Sequence, residues 1–98
     1  KIMAEIISCE FEVFGIVQGV FFRKYTQQQA TELGLKGWCM NTRSGTVKGI
    51  MEGSPSQIRN MKDWLQHKGS PMSKIEKTVF SEEKSINEHT FPKFSVKH

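Results

Sequence analysis

Residues 15–23 read Gly15-Ile16-Val17-Gln18-Gly19-Val20-Phe21-Phe22-Arg23 and join two segments of different periodicity. The alternating segment before them, residues 8–14, predicts a strand, and residues 24–33 predict a helix. The stretch is therefore a glycine-rich turn between strand and helix, with an arginine in the first helical turn. Glycines let backbone N–H groups point inward without a Cβ clash, and a helix start adds unpaired N–H groups and the positive end of its dipole. Together these features indicate an anion-binding turn, most naturally for a phosphate.

The charge order of this predicted helix also points to an anion. Arg23 and Lys24 stand in the first turn, whereas the first acidic residue, Glu32, comes near the far end. A cation at a helix N-terminus costs about 0.3–1 kcal/mol because it faces the positive end of the dipole. A bound anion would account for this order, and a solvated basic turn without a ligand is the alternative. The turn and the arginine alone leave both interpretations open.

The composition fits one domain, residues 1–98, with one modest core. Of the 98 residues 37% are hydrophobic, and the net charge of +4 is scattered, which suits an anionic partner without naming one. Cys9 and Cys39 lie far apart in strand-like segments, which favours buried free thiols over a disulfide. Neither a CxxC nor a His–Cys spacing indicates zinc. Because the sequence has no apolar run of about 18 residues and no signal-peptide pattern, we expect a cytoplasmic protein.

The rest of the chain alternates strand and helix patterns. We predict further strands over residues 36–41, 46–53, 75–84 and 91–97, with a hairpin turn at 42–45 and a polar connection at 85–90. A second helix has ordinary end signals: Ser54 and Gln57 form a capping box, Pro55 follows in the first turn, and Gly69 lies just beyond its end. Its charge order is the usual one, which sets the first helix apart.

The side chains that should form the core fall on one face of each element. They are Ile7, Cys9, Phe11 and Val13 in the first strand, Phe22, Thr26, Ala30 and Leu33 in the first helix, and Ile58, Met61 and Leu65 in the second. This pattern predicts an α+β fold, namely a ferredoxin-like βαββαβ sandwich. Its sheet should be mostly antiparallel, with both helices on one face and a short fifth strand.

Two motifs resemble the acylphosphatase family. The first is Gly15-x-Val17-Gln18-Gly19-Val20-x-Phe22-Arg23, and the second is Gly37-Trp38-x-x-Asn41-Thr42-x-x-Gly45-x-Val47. The Gly69-Ser70-Pro71 loop and the segment Phe80-Ser81-x-Glu83-Lys84 extend the resemblance, which is to the short animal type and covers the chain from about residue 8 onward. One departure is Ile16, where these proteins often carry a basic residue. That change would weaken long-range attraction of substrate but would leave a site made of backbone intact.

The resemblance implies hydrolysis of the carboxyl-phosphate bond of acyl phosphates, without a metal or cofactor. It implies that Arg23 holds the phosphate together with the backbone N–H groups of Ile16, Val17, Gln18, Gly19 and Val20, and that Asn41 positions the attacking water. Gly15 and Thr42 are candidates for supporting roles, although Thr42 could equally cap the turn. The implied ligands are a small-molecule acyl phosphate and, as competitors, inorganic phosphate or sulfate.

Two other classes of function remain open at the level of sequence. A nonenzymatic module on the same fold could bind RNA or serve as a regulatory domain, although no aromatic RNP-like run is present. A metal carrier is disfavoured by the missing CxxC. We expect a monomer that binds neither nucleic acid nor membrane.

Overall fold

The computed structural model describes residues 5–98, which form two helices and six strands. The elements in chain order are β1 (Ile6–Ile16), α1 (Phe22–Glu32), β2 (Lys36–Asn41), β3 (Val47–Gly53), α2 (Pro55–His67), β4 (Lys74–Phe80), β5 (Lys84–Ile86) and β6 (Phe94–Lys97). The predicted α+β class is confirmed. The sequence predicts an irregular chain end over residues 1–6 that leads into the first strand, and residues 1–4 of it lie outside the described part.

The strands form one mixed sheet in the order β4-β1-β3-β2-β6, and β5 also pairs with β1. Strand β1 is antiparallel to β3, β4 and β5, and β2 is antiparallel to β3. Only the β2–β6 pair of the described sheet is parallel, with Cys39 opposite Val96. This parallel pair brings the C-terminal strand beside the end of β2, where Asn41 lies.

One face of the sheet packs against both helices. Ile7, Cys9, Phe11 and Val13 are buried on this face, as the alternation of β1 predicts. The helices contribute Phe22 and Ala30 from α1 and Ile58, Met61 and Leu65 from α2. The rings of Phe22 and Trp64 lie 5.7 Å apart and join the two helices. The predicted core is therefore confirmed, with Leu33 partly buried at its edge.

Local signals set the start of α2. Ser54 Oγ accepts a hydrogen bond from Gln57 N at 3.2 Å, and Gln57 Oε1 accepts one from Ser54 N at 2.8 Å. Pro55 follows at the first helical position. The predicted capping box is confirmed, since each partner satisfies a backbone N–H group that the helix itself leaves unpaired.

The predicted strand over residues 75–84 is wrong, because the chain forms β4 and β5 with a break at residues 81–83. Ser81 causes the break: its hydroxyl accepts a hydrogen bond from Glu10 N at 2.8 Å, a role that a strand gives to a backbone carbonyl. The predicted connection at 85–90 is consequently strand in its first part. The described sheet has six strands rather than five.

Other predicted boundaries also shift. Strand β1 extends beyond residues 8–14 at both ends, β3 begins one residue later than predicted, and α1 begins at Phe22. The last strand begins at Phe94 rather than residue 91, because Pro92 has no N–H group to donate to a neighbouring strand. Within residues 5–98, neither helix is long and apolar enough to cross a membrane.

Candidate active site

Gly15 shapes the exit from β1. The register between β1 and β4 shifts between Phe14 and Gly15, and Gly15 has a φ of +132°. A Cβ atom built on Gly15 would lie 2.1 Å from the carbonyl oxygen of Lys74, so a side chain does not fit there. Gly15 is thus a bulge residue that redirects the strand toward the glycine-rich turn. This geometry is a physical reason for the supporting role that the sequence predicts for Gly15.

The loop of residues 17–21 connects β1 to α1. Val17, the first residue of the loop, is buried and holds the loop against the core. Gly19 has a φ of +75° and open space where a Cβ atom would lie. Ser70 Oγ donates a hydrogen bond to Val20 O at 2.8 Å from the Gly69-Ser70-Pro71 loop. Ile16, predicted to offer its amide to the phosphate, is the last residue of β1 and pairs with Lys74.

The side chain of Gln18 ties this loop to the hairpin turn between β2 and β3. Its Nε2 donates hydrogen bonds of 2.9 Å to the carbonyl oxygens of both Thr42 and Thr46. The sequence interpretation considered only the backbone of Gln18 and missed this role. The signal in the sequence is the long amide side chain of Gln18 between Val17 and Gly19, which can reach the backbone of a neighbouring segment.

Thr42 belongs to a short chain of hydrogen bonds below the hairpin turn. Thr46 Oγ1 donates to Glu12 Oε2 at 2.6 Å and lies 2.6 Å from Thr42 Oγ1. Because a hydroxyl carries one proton, Thr42 Oγ1 must be the donor in the second bond. Thr46 N donates to Thr42 Oγ1 at 3.2 Å. Thr42 therefore fixes the turn that directly follows Asn41.

Arg23 and Asn41, distant in the sequence, line one cavity of about 410 Å³. Of the predicted loop residues, Val17 and Gly19 also line it, whereas Gly15, Ile16, Gln18, Val20 and Thr42 do not. The other residues of its wall are Phe21, Phe22, Lys24, Gln27, Val96 and His98. Sequence reasoning missed Val96 and His98, since a parallel strand pairing over a long separation has no local signal.

Asn41 contributes a buried acceptor to this site. It is the last residue of β2 and pairs with Val47 of β3. Its Oδ1 is buried and accepts no hydrogen bond from any residue between 5 and 98. A buried polar atom without a partner costs about 1–3 kcal/mol. Thr26 Oγ1 and His89 Nδ1 are also buried without a partner within residues 5–98, but of the three residues only Asn41 lines the cavity.

Arg23 is the half-buried cation of the cavity wall, which also includes the exposed Lys24. Arg23 Nη1 donates to Lys97 O at 3.4 Å and lies 3.3 Å from Nδ1 of His98. Both contacts are long and both involve Nη1. A guanidinium group has five N–H donors in a planar fork, so these contacts leave capacity to bind an anion.

The start of α1 has the charge and the open N-terminus on which the predicted anion-binding turn depends. Phe21 is the N-cap residue, and within the described chain no side chain caps the helix there. The first turn also holds no acidic residue. The unpaired N–H groups of this turn and the positive end of the helix dipole therefore meet the cavity without a built-in negative charge.

Cys39 lies beneath the site but does not enter its chemistry. Its Sγ donates to Arg23 O at 3.8 Å, and burial raises the pKa of this thiol to about 12 against the opposing effect of the Arg23 charge. The group stays protonated at neutral pH, and a protonated thiol is a poor nucleophile. Cys9 is likewise a buried free cysteine, as predicted.

Residues 5–98 contain no group of three or more His, Cys, Asp or Glu side chains that could hold a metal ion.

Comparison with known proteins agrees with the two motifs. A family model described as Acylphosphatase matches residues 9–96. Acylphosphatase-1 of Drosophila melanogaster is 51% identical over 92% of this chain and 75% of its own, and Acylphosphatase-1 of Xenopus tropicalis is 51% identical over 94% of each. The crystal structure of acylphosphatase from Bacillus subtilis superposes with a TM-score of 0.86 at 28% identity, over 94% of this chain and 99% of that one. The chain belongs to the acylphosphatase family.

Family membership defines the reaction class. The protein is an acylphosphatase, a hydrolase that cleaves acyl phosphates into a carboxylate and inorganic phosphate. The predicted enzyme class is confirmed. The family acts on small molecules that carry a carboxyl-phosphate bond.

Proposed function

We propose that hydrolysis takes place in the cavity that Arg23 and Asn41 share. The phosphate is held by the Arg23 guanidinium and by backbone N–H groups of residues 17–20, with Ile16 at the strand end that leads into them, and Asn41 orients the attacking water through Oδ1. One observation carries this assignment: a buried, unpartnered acceptor belongs to a residue that lines the same cavity as the cation. A water molecule can donate to that acceptor and present its oxygen to phosphorus.

These groups are sufficient for phosphoryl transfer, which needs positioning and charge stabilisation more than covalent catalysis. Arginine presents a planar fork that matches two phosphate oxygens. The bond from the water oxygen to phosphorus forms as the bond from phosphorus to the acyl oxygen breaks, and its electron pair leaves on the carboxylate. Because the conjugate acid of that carboxylate has a pKa of about 4, no general acid is needed. The water proton goes to an oxygen of the phosphate itself.

Gln18 and Thr42 act indirectly in this scheme. Gln18 joins the 17–21 loop to the hairpin turn, and Thr42 fixes the turn next to Asn41. Together they hold the phosphate-binding and water-binding halves of the site in one geometry. Gly15 acts through the backbone, since only glycine fits the bulge at which the loop begins.

The proposal is tested by hydrolysis of benzoyl phosphate in EDTA. We expect full turnover with the chelator, because the site uses no metal, and loss of turnover in Asn41→Ala and Arg23→Ala. Turnover that EDTA abolishes and magnesium or zinc restores would contradict metal independence. Wild-type turnover in both variants would place the reaction elsewhere and reopen the nonenzymatic interpretation of this surface.

We also propose three broader properties. The element order β1-α1-β2-β3-α2-β4, with β1 between β3 and β4, supports classing the fold as ferredoxin-like over a single domain. Two buried free cysteines support a reducing, cytoplasmic location. Inorganic phosphate and sulfate are competitive ligands of the proposed site, and the protein is a monomer.

A further inference from the structure

Phe21 is a large apolar side chain at the mouth of the cavity. It is 73% exposed and lines the same wall as Arg23 and Asn41. Ile16 and Met72 are also exposed, at 56% and 75%, but neither lines this cavity. An exposed aromatic ring gains nothing from the core, so its position beside the site needs another reason.

The backbone of Phe21 is strained as well. Its φ of +59° lies in the left-handed region. Within residues 5–98, Phe21 is the one residue other than glycine that has a positive φ. Glycine adopts this conformation without a steric cost, whereas a residue with a side chain does not. Strain of this kind clusters at ligand-binding sites, where the surroundings hold it in place. The chain thus keeps a phenyl ring at a position that glycine would fill more easily.

The other apolar residues of the cavity differ from Phe21 in accessibility. Val17 and Phe22 are each only 1% exposed and offer a ligand almost no surface. Val96 is half-buried. Phe21, with Val96, therefore supplies the accessible apolar surface of the cavity, whereas its polar surface comes from Gly19, Arg23, Lys24, Gln27, Asn41 and His98.

Given the site proposed above, on which this inference rests, we propose that Phe21 selects the substrate by its acyl group. When the polar residues of the cavity hold the phosphate, the acyl group of the substrate points away from them and packs on the Phe21 ring and Val96. Aromatic and branched acyl phosphates are favoured over acetyl phosphate, because the larger group buries more apolar surface. Phe21 contacts substrate but takes no part in bond breaking.

The test compares kcat/KM for benzoyl phosphate and acetyl phosphate in wild type and Phe21→Ala. The variant should lose about tenfold on benzoyl phosphate, mainly through a higher KM, and about twofold or less on acetyl phosphate. Tenfold corresponds to about 1.4 kcal/mol. Met72→Ala, which removes an equally exposed apolar side chain outside the cavity, should leave the ratio of the two substrates unchanged.

Phe21→Gly separates the ring from the backbone strain. It removes the phenyl group and also relaxes the left-handed conformation, so it should show the same selective loss as Phe21→Ala. An equal loss on both substrates, or an unchanged ratio in both variants, would overturn the inference. Failure of the proposed site has a different signature, namely full activity of Arg23→Ala toward both substrates. Because Phe21 is mostly exposed, thermal melts should show both variants folded.

Discussion

Asn41 is the last residue of β2, and its side-chain oxygen Oδ1 is buried and accepts no hydrogen bond from residues 5–98. Asparagine before a turn is common for local reasons, so the residue type alone does not predict a site. The second motif marked Asn41 as a candidate, and the cavity lining places it beside Arg23. Its burial and its unpaired oxygen depend on the packing of the surrounding strands, and the sequence does not reveal them.

Substitution of Asn41 should separate water positioning from phosphate binding. Asn41→Ala should lower kcat by about 10²-fold and leave phosphate affinity within a few-fold, since the lost interaction is with water. Steady-state kinetics on benzoyl phosphate, with phosphate as inhibitor, measure both quantities.

Asn41→Asp is the sharper variant of this pair. It keeps the shape and an acceptor oxygen but adds a negative charge near a dianion. At about 4–6 Å and an effective dielectric near 20, each pair of like unit charges costs about 3–4 kcal/mol before screening, more than the roughly 1–1.5 kcal/mol of one hydrogen bond. We expect Asn41→Asp to be less active than wild type and to bind phosphate more weakly than Asn41→Ala. Equal inhibition constants in all three proteins would show that Asn41 is far from the anion.

Arg23→Ala should lower kcat/KM by roughly 10²-fold or more, because the variant loses the positive charge that binds the phosphate in the ground and transition states. Its thermal midpoint should not fall, since the substitution removes a cation from a helix N-terminus. Arg59→Ala, which removes an exposed arginine on α2, is the matched control and should keep wild-type kinetics. Activity of Arg23→Ala near that of wild type would reduce Arg23 to a surface charge.

At the scale of the elements, the two helices show what a sequence can reveal. The capping box of α2 depends on residues three apart, and it was predictable for that reason. The first turn of α1 holds Arg23 and Lys24 but no acid, and this charge order was itself the informative pattern. The break between β4 and β5 was not predictable, because the Ser81 hydroxyl bonds to Glu10 on a strand far away in sequence.

The start of α1 predicts that anions stabilise the fold. A ligand that binds only the native state at ten times its Kd adds about 1.4 kcal/mol to the free energy of unfolding. Thermal melts over a series of phosphate concentrations at constant ionic strength should therefore show a rising midpoint, and sulfate should act similarly. The rise should vanish in Arg23→Ala. A flat series for wild type, or the same rise in the variant, would contradict an anion site at this helix.

At the scale of the whole molecule, the site depends on contacts between segments that no local pattern connects. The parallel pairing of β6 with β2 brings Val96 and His98 to the cavity. Glu52 holds the segment before β6 against the sheet face that the helices do not cover. Its side chain is 1% exposed and accepts a hydrogen bond from Thr90 N at 2.8 Å. Motif residues could thus be predicted from the sequence, whereas the rest of the cavity wall required the assembled fold.

The most direct test of the central claim is an NMR titration of uniformly ¹⁵N-labelled protein with inorganic phosphate at constant pH and ionic strength. The proposed site predicts that the largest shifts fall on the backbone amides of residues 17–20, the Arg23 side chain and the Asn41 side-chain amide. Trp38 and Lys48, on the opposite face of the sheet, should remain unchanged and serve as internal controls. Shifts centred on those controls, or the absence of saturable shifts in the 17–20 amides, would contradict the assignment of the site.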